Sequence, residues 1–322
     1  MNTKISKIGF QRFVIAGIFV FLFILMSILS PVFLTATNII NLLRQVSMVV
    51  IVACGMTLLL TSGGIDLSVG SVLALSGIIC AKLAVSGVPL FISILGGVSA
   101  GLFIGFLNGV LVVYFKVMFL IATLGTMFIA RGLAYVISGG KAVVAGLPES
   151  YKIPGRGYFG FIPIPVLIMI VICVVFYIIQ SRTIIGRYAY AIGGRIETAI
   201  LSGVNVDNIQ LLLYSTCGML AGISGVILSS RLASGQPNSG IGFEFSVIVA
   251  VVLGGTSLSG GEGTILGTII GALIVGVLNN GLNLLGVHTF YQYILSGGAL
   301  ILAVILDMSL KGRGIKLRRR HY

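Results

Sequence analysis

The chain has 322 residues, of which 57% are hydrophobic and only 8% are charged, and its formal net charge is +13 at pH 7. A soluble domain carries about 25% charged residues and breaks its apolar runs far more often. The composition therefore excludes a soluble globular protein and predicts an integral membrane protein.

Ten stretches of roughly 15 to 25 mainly apolar residues are predicted to be transmembrane helices. The alternating pattern of a transmembrane barrel is absent, so an all-α fold is expected. The stretch Phe243–Leu258 is short enough to be tilted, half-buried or broken. In chain order the predicted spans are Phe13–Leu29, Val46–Leu60, Val69–Val85, Leu90–Phe115, Val117–Ile137, Ile162–Ile179, Ile209–Leu228, Phe243–Leu258, Ile265–Leu285 and Phe290–Leu306.

The distribution of Lys and Arg predicts the orientation. If the N-terminus is cytoplasmic, thirteen of the 20 basic residues fall on cytoplasmic segments, as the positive-inside rule requires. Both termini are then cytoplasmic, and residues 1–322 form one transmembrane domain with an inner loop at about 180–208 and a basic tail at 308–322. The tail is interpreted as a topology determinant that contacts anionic membrane lipid, and not as a nucleic-acid site.

The turn before the third span, Gly63–Gly70, reads GGIDLSVG and carries one of only seven acidic residues. A charge at the bilayer centre costs at least about 2.5 kcal/mol, so Asp66 is expected near the cytoplasmic interface or beside a functional partner. Gly63 and Gly64 can end the second helix with positive φ, and Asp66 or Ser68 can cap the third. A structural cap and a functional role both remain open.

A second turn, Gly254–Gly261, repeats the pattern GGxxLSxG without the acid. Such a recurrence is typical of internally duplicated transporter folds. The match does not extend further, because GFLN at Gly105–Asn108 and GVLN at Gly276–Asn279 are out of register with it.

Three amides stand late in the apolar ninth span, at Asn279, Asn280 and Asn283. Asn279 and Asn283 share a helix face because they are four residues apart. Amides in such a span need partners, which are neighbouring helices, water or a polyhydroxylated solute.

The inner loop at about 180–208 is the longest cytoplasmic polar segment. A short surface helix is predicted from Arg195 to Ser202. This helix is either a docking surface for a soluble partner or part of a simple inner loop that positive charge holds in place. The residues assigned to the docking surface are Gly186, Arg187, Gly193, Gly194, Glu197, Leu201 and Gly203.

Sequence motifs for enzymatic activity are missing. Gly140-Lys141 is followed by Ala142, so the chain has no Walker A motif and ATP hydrolysis by that route is excluded. His288 and His321 are the only histidines and form no HExxH motif. We therefore expect no enzyme, cofactor or metal site in this chain.

A self-sufficient secondary transporter or channel remains the alternative function. Ion coupling usually requires acidic residues or broken helices near the midplane. Glu244 is expected near the outer face. The acidic residues expected near the cytoplasmic face are Asp66, Glu197, Asp207, Glu262 and Asp307. Arg131 is the one charge predicted to lie deeper. We interpret it as snorkelling or as paired with backbone carbonyls at a helix end, with a role in ion coupling as the alternative.

Four segments, in this order, give the chain a resemblance to the permease subunit of bacterial ribose-type ABC importers. The resemblance runs from about Asn38 to Asp307. Its segments are GGIDLSVGSVLALSG at Gly63–Gly77, ATLGTMFIARGLAYVISGG at Ala122–Gly140, GRYAYAIGG at Gly186–Gly194 followed by LSGVNV at Leu201–Val206, and VVLGGTSLSGGEGTILGTIIGALIVGVLNNGLNLLGV at Val251–Val287.

The resemblance implies the ribose/branched-chain amino-acid type permease fold of about ten helices in the bacterial cytoplasmic (inner) membrane. It also implies three partners: a second permease subunit (a second copy or a paralogue), a cytoplasmic ABC ATPase and a periplasmic sugar-binding protein. The cargo would be ribose or a similar monosaccharide. The inner loop would be the coupling helix. Separately, the polarity of Asn279, Asn280 and Asn283 in an apolar span predicts that they contribute to the outer half of the sugar path.

The inner loop departs from the family pattern at three positions. Arg195 stands where the family commonly has Asn, Ile196 where it often has Glu, and Ile200 where it often has Arg. These differences bear on which ATPase docks there.

Overall fold

The computed structural model describes residues 2–288 and, beyond them, residues 291, 294, 297, 298 and 301; the side chains of residues 2–14 are not described. The tenth predicted span, Phe290–Leu306, lies almost entirely outside the described residues, as does the basic tail at 308–322.

Within the described residues the chain is mostly α-helical, with one short 3₁₀ helix (Glu149–Lys152) and one two-stranded antiparallel hairpin, β1 (Tyr158–Phe159) and β2 (Ile162–Pro163). Each of the first nine predicted spans falls on a helix. The helices are α1 (Asn2–Leu29), α2 (Ala36–Thr61), α3 (Val69–Val85), α4 (Leu90–Val113), α5 (Phe119–Ser138), α6 (Ile153–Arg156), α7 (Ile164–Arg182), α8 (Ile184–Gly194), α9 (Ile196–Leu201), α10 (Val206–Leu232), α11 (Phe243–Leu253) and α12 (Ile265–Leu284).

Six of the described helices are long and apolar enough to cross a membrane: α2, α4, α5, α7, α10 and α12. Shorter apolar helices are α3, α11 and the Ile15–Leu29 part of α1. This architecture is that of a multi-pass membrane protein, as the composition predicts.

Two classes of helix follow from burial. In the apolar windows, 78% of α2 and 61% of α10 and α12 are buried, whereas only 22 to 28% of α4, α5 and α7 are buried. The first group forms the centre of the bundle, and the second presents its apolar surface outward, as lipid contact requires.

Glycines bring α4 and α10 into close contact. A Cβ on Gly101 would lie 2.8 Å from the Cα of Gly222, and one on Gly105 would lie 2.9 Å from the Cα of Gly218. Small residues allow this approach where no hydrophobic effect drives helices together in lipid. The glycines of α4 therefore serve close helix packing against α10.

The two ends of the bundle differ in the helix termini and connections that lie there. The inner end is where α2 and α4 stop and α10 starts, and Lys116 pairs there with Asp207 at 3.5 Å. The outer end contains Val85, Leu232 and the connection 139–163.

Helix α2 begins ten residues before its predicted start because its polar residues have partners at the outer end. The Thr35 side chain caps the helix at the amide of Asn38. Arg44 Nη2 donates to the carbonyl of Arg156 at 2.9 Å, and its guanidinium lies 4.8 Å from the ring centre of Tyr158.

Candidate functional site: the inner turns and a discontinuous span

The signature turn Gly63–Gly70 ends α2 and starts α3. The Gly63 amide donates to Leu60 O and the Gly64 amide donates to Leu59 O, while Gly63 has φ +87°. This is the hydrogen-bond pattern of a Schellman-type helix end, in which a left-handed glycine satisfies the last carbonyls. The predicted helix end with positive φ is confirmed for Gly63, whereas Gly64 does not have a positive φ.

Asp66 is fully buried. Its Oδ1 accepts hydrogen bonds from the amide of Ser68 at 2.8 Å, from the Ser68 hydroxyl at 2.6 Å and from Asn108 Nδ2 at 3.2 Å. Asn108 Oδ1 in turn accepts from the Thr126 hydroxyl at 2.6 Å. The carboxylate therefore stabilises its own turn and ties the start of α3 to α4 and, through Asn108, to α5.

One oxygen of this carboxylate, Asp66 Oδ2, has no hydrogen-bond partner among the described residues, and neither has the hydroxyl of Tyr214 nearby. Among the described residues, the hydrogen bonds to Asp66 come from Ser68 and Asn108, and none comes from a cationic side chain. Instead of lying in solvent at an interface, Asp66 acts as a buried hydrogen-bond acceptor.

The second turn, Gly254–Gly261, has related geometry. The Gly255 amide donates to Val252 O, the Thr256 amide donates to Val251 O, and Gly255 has φ +88°. The Ser257 hydroxyl accepts from the amide of Ser259 at 3.0 Å, as Asp66 does from Ser68. Both turns therefore end a helix at a left-handed glycine and contain a side-chain-to-amide hydrogen bond, but the left-handed glycine is the first of the pair in one turn and the second in the other.

The two turns meet directly. The Gly261 amide donates to the carbonyl of Thr61 at 2.8 Å, and Thr57 and Thr268 share a hydrogen bond at 2.7 Å. The ends of α2 and α11 and the start of α12 are thus joined at the inner end.

The inner loop contains two helices where one was predicted. Helix α9 matches the predicted segment, and Gly203 follows it with φ +79°, so the predicted helix end is confirmed. Helix α8 was not predicted. Glu197 and Arg187 are exposed, and Leu201 is 88% exposed.

Gly193 places α8 against both inner turns. A Cβ on Gly193 would overlap the carbonyl oxygen of Thr61 and lie 2.5 Å from the amide nitrogen of Gly261. The Tyr190 hydroxyl also donates to the carbonyl of Gly263, and Gln180 Oε1 accepts from the amide of Ile265 at 2.9 Å. The inner loop is therefore held to the membrane helices through backbone contacts.

The three asparagines of α12 differ in their surroundings. Asn280 is buried and exchanges two hydrogen bonds with Asn38 of α2, at 2.9 and 3.0 Å. Asn279 is half-buried and Asn283 is exposed. The amide pair joins α12 to α2, so the structure brings Asn280 to a neighbouring helix, one of the three predicted kinds of partner.

Residues 233–242 and α11 together form a discontinuous span. The 233–242 segment is not helical, and it runs from the outer end of α10 to Gly240, which packs against Gly70 at the start of α3. Glu244 is buried in the first turn of α11, also against Gly70. The expectation that Glu244 lies near the outer face is wrong, because the chain enters the bundle before α11 begins.

Arg131 supports this segment from α5. Its Nη1 donates to Pro237 O at 2.7 Å and to Ser239 O at 2.6 Å. Of the two structural roles predicted for Arg131, pairing with backbone carbonyls is the one observed, but these carbonyls lie in a non-helical segment and not at a helix end. Sequence reasoning missed that these carbonyls belong to a discontinuous span, although the run Ser234–Gly240, SGQPNSG, is a strong signal for non-helical chain.

Residues 38–304 match the family described as the permease component of the branched-chain amino acid transport system. The chain belongs to this permease family. This permease is 47% identical over 292 residues to the ribose import permease protein RbsC of Bacillus subtilis strain 168, with 90% of each chain covered.

More distant relatives are similar over equally long stretches. The permease is 39% identical over 296 residues to the D-allose transport system permease protein AlsC of Escherichia coli strain K12, with 90% of each chain covered. It is 39% identical over 293 residues to the L-arabinose ABC transporter permease protein AraH of Azospirillum brasilense, which covers 91% of this chain and 86% of the relative. No solved structure matches the chain.

Proposed function

We propose that this permease is the membrane-spanning subunit of an ABC importer that moves ribose or a similar monosaccharide across the bacterial cytoplasmic membrane. The 47% identity to a ribose import permease over 90% of both chains carries the proposal. The allose and arabinose relatives extend the substrate class to other pentoses and hexoses.

Three partners belong to this proposal. A cytoplasmic ABC ATPase supplies the energy, since this chain lacks a Walker A motif. A periplasmic binding protein delivers the sugar, and a second permease subunit, either another copy or a paralogue, completes the pathway. Residues 1–322 then form one transmembrane domain of about ten helices with both termini in the cytoplasm.

The inner loop is the surface we assign to the ATPase. Its support is the exposure of Leu201 and Glu197 on α9, together with the backbone contact of Gly193 with Thr61 and Gly261. A partner that moves α8 and α9 therefore acts on the ends of α2 and α11. The proposed coupling residues are Gly186, Arg187, Gly193, Gly194, Glu197, Leu201 and Gly203.

The signature turn and the α12 amides have separate proposed roles. Gly63, Gly64, Asp66, Ser68 and Gly70 fix where α3 starts, which the hydrogen bonds of Asp66 and the close contacts of Gly70 support. We assign the outer half of the sugar path to Asn279, Asn280 and Asn283, of which the half-buried amide at 279 and the exposed amide at 283 are more accessible to a solute than the buried amide at 280.

Reconstitution tests the function. The permease is placed in vesicles with its ATPase inside and its binding protein outside, and uptake of labelled ribose, allose and arabinose is measured with and without ATP. We expect uptake only when ATP and both partners are present. Uptake by the chain alone, driven by an ion gradient, would instead establish the secondary-transporter alternative.

A further inference from the structure

The non-helical segment 233–242 lies deep within the bundle. Gly70, against which Gly240 packs, precedes Val85 by 15 residues, which is about 22 Å of helix at the usual rise per residue. A hydrocarbon core is about 30 Å thick, so the segment descends well past the outer interface. Helix α11, with 11 residues, completes the crossing.

Backbone without helical hydrogen bonds is tolerated at membrane depth only where protein buries it or water lines it. The near end of this segment is buried: Gly235 pairs with Val143 in both directions, at 2.8 and 2.9 Å. Further along, Asn238 is exposed and Ile241 is 61% exposed. Lipid tails cannot form hydrogen bonds with an exposed side-chain amide or with non-helical backbone, so we infer that this surface does not face lipid.

The neighbouring face of α5 adds a cation and two aromatic rings. Phe128 and Tyr135 lie three residues before and four residues after Arg131, so all three share one helix face. Phe128 is 71% exposed and Tyr135 is 41% exposed. Arg131 uses Nη1 for the carbonyls of the segment, and its Nε and Nη2 have no acceptor among the described residues.

We propose that this surface, formed by residues 236–241 and by Phe128, Arg131 and Tyr135, lines the path of the neutral polyhydroxylated solute. Amide and guanidinium groups pair with hydroxyls, and aromatic faces pack against the apolar face of a sugar ring. A neutral solute fits better than an anion, because the buried carboxylate of Glu244 lies close to Arg131. The inference rests on the proposed function and locates its pathway.

Cysteine accessibility tests the proposal in the assembled importer. Asn238→Cys is compared with Ile129→Cys, since Ile129 is 58% exposed but lies on the opposite side of α5 from Arg131. The unchanged chain, with its four cysteines, gives the background rate. We expect a charged, membrane-impermeant thiol reagent to modify the Asn238→Cys variant at least about tenfold faster than the Ile129→Cys variant, because thiolate chemistry requires water.

Saturating sugar should slow the modification of the thiol introduced at position 238 and leave the Ile129→Cys control unchanged. The proposal would be overturned if the thiol at position 238 reacts only with a lipid-soluble reagent, reacts equally with and without sugar, or is covered by the second subunit. Ser239→Cys, a nearly isosteric change, provides the same reading if Asn238→Cys does not assemble.

Uptake kinetics give an independent reading. Asn238→Leu should reduce sugar uptake by about 2- to 13-fold, the equivalent of one net hydrogen bond, and Asn238→Gln should restore most of it. Equal uptake by both variants would count against a solute contact. Absence of uptake by the unmodified complex would contradict the proposed function, whereas an unreactive thiol at position 238 in a complex that transports sugar would contradict this inference alone.

Discussion

Replacement of Gly193 by Ala is expected to loosen the contact between the inner loop and the membrane helices. The added Cβ would overlap Thr61 O and lie 2.5 Å from the Gly261 nitrogen. Both atoms belong to backbone that is already joined by a 2.8 Å hydrogen bond, so no flexible side chain can move aside. Either α8 must move away from the turns, or the Thr61–Gly261 hydrogen bond must break.

The magnitude follows from these two terms. One net backbone hydrogen bond is worth about 0.5–1.5 kcal/mol, and overpacking a tight contact costs about 1–3 kcal/mol. If both terms apply and α8 does not move, Gly193→Ala should lower the free energy of unfolding by about 1.5–4.5 kcal/mol. If α8 does move, the loss appears as weaker coupling between ATP hydrolysis and transport.

The adjacent glycine provides a matched control. A Cβ on Gly194 meets nothing within 4 Å, and Ala is a better helix residue than Gly by about 1 kcal/mol at most. Thermal unfolding of the purified permease and sugar-stimulated ATP hydrolysis by the assembled importer are measured for both variants. If Gly193→Ala matches Gly194→Ala in both assays, the close contact has no mechanical role and the reasoning is refuted.

Three further predictions concern other contacts. Asn38→Leu should destabilise the permease by about 1–3 kcal/mol, because it leaves the buried Asn280 amide without its partner. Asn280→Leu should cost less, because Asn38 Nδ2 keeps its hydrogen bond to Phe33 O. The double variant should cost less than the sum, and additive losses in thermal unfolding would contradict the pairing. Asp66→Asn, which keeps an acceptor oxygen, should unfold closer to the unmodified protein than Asp66→Leu does; equal destabilisation by the two neutral variants would show that the acceptor oxygen is not what matters and that the charge is required. Glu197→Lys and Gly203→Pro should leave the permease in the membrane but reduce sugar-stimulated ATP hydrolysis. If co-purification of the ATPase and hydrolysis are both unchanged, the inner loop determines topology only and does not dock the ATPase.

The positions of the membrane helices could be predicted from sequence because hydropathy is a local property. Each of the first nine predicted spans falls on a helix, and even the doubtful stretch that starts at Phe243 is a short helix, α11. The starts were less accurate. Helix α2 begins at Ala36, ahead of the predicted Val46, because Asn38 and Arg44 find partners that lie far away in sequence.

The same distance in sequence explains what was missed at the site. Asp66 and Asn108 are 42 positions apart, and Asn38 and Asn280 are 242 apart. No periodicity or motif links such pairs in a single sequence. The amides and the carboxylate were recognised as needing partners, but only the fold decides that the partners are one another.

The discontinuous span was hidden for a different reason. Hydropathy windows average over many residues, so a polar run such as Ser234–Gly240 reads as an outer loop even where it descends into the bundle. The turn residues did predict non-helical chain. The depth of this segment in the bundle is visible only from its contacts with α3 and with Arg131. The sequence offered backbone carbonyls as partners of Arg131 but did not indicate where in the chain those carbonyls lie.

The first turn has an acidic residue where the second has a serine, and the two side chains differ in the hydrogen-bond donors around them. In both turns a side-chain oxygen accepts from the amide two residues later, and Ser257 does this with a hydroxyl. Asp66 does the same but also accepts from Asn108 on α4, which a shorter side chain would not reach. The hydrogen bonds from Ser68 and Asn108 thus explain why an acceptor side chain stands at position 66, and none of the hydrogen bonds to it in the described part of the chain comes from a cation.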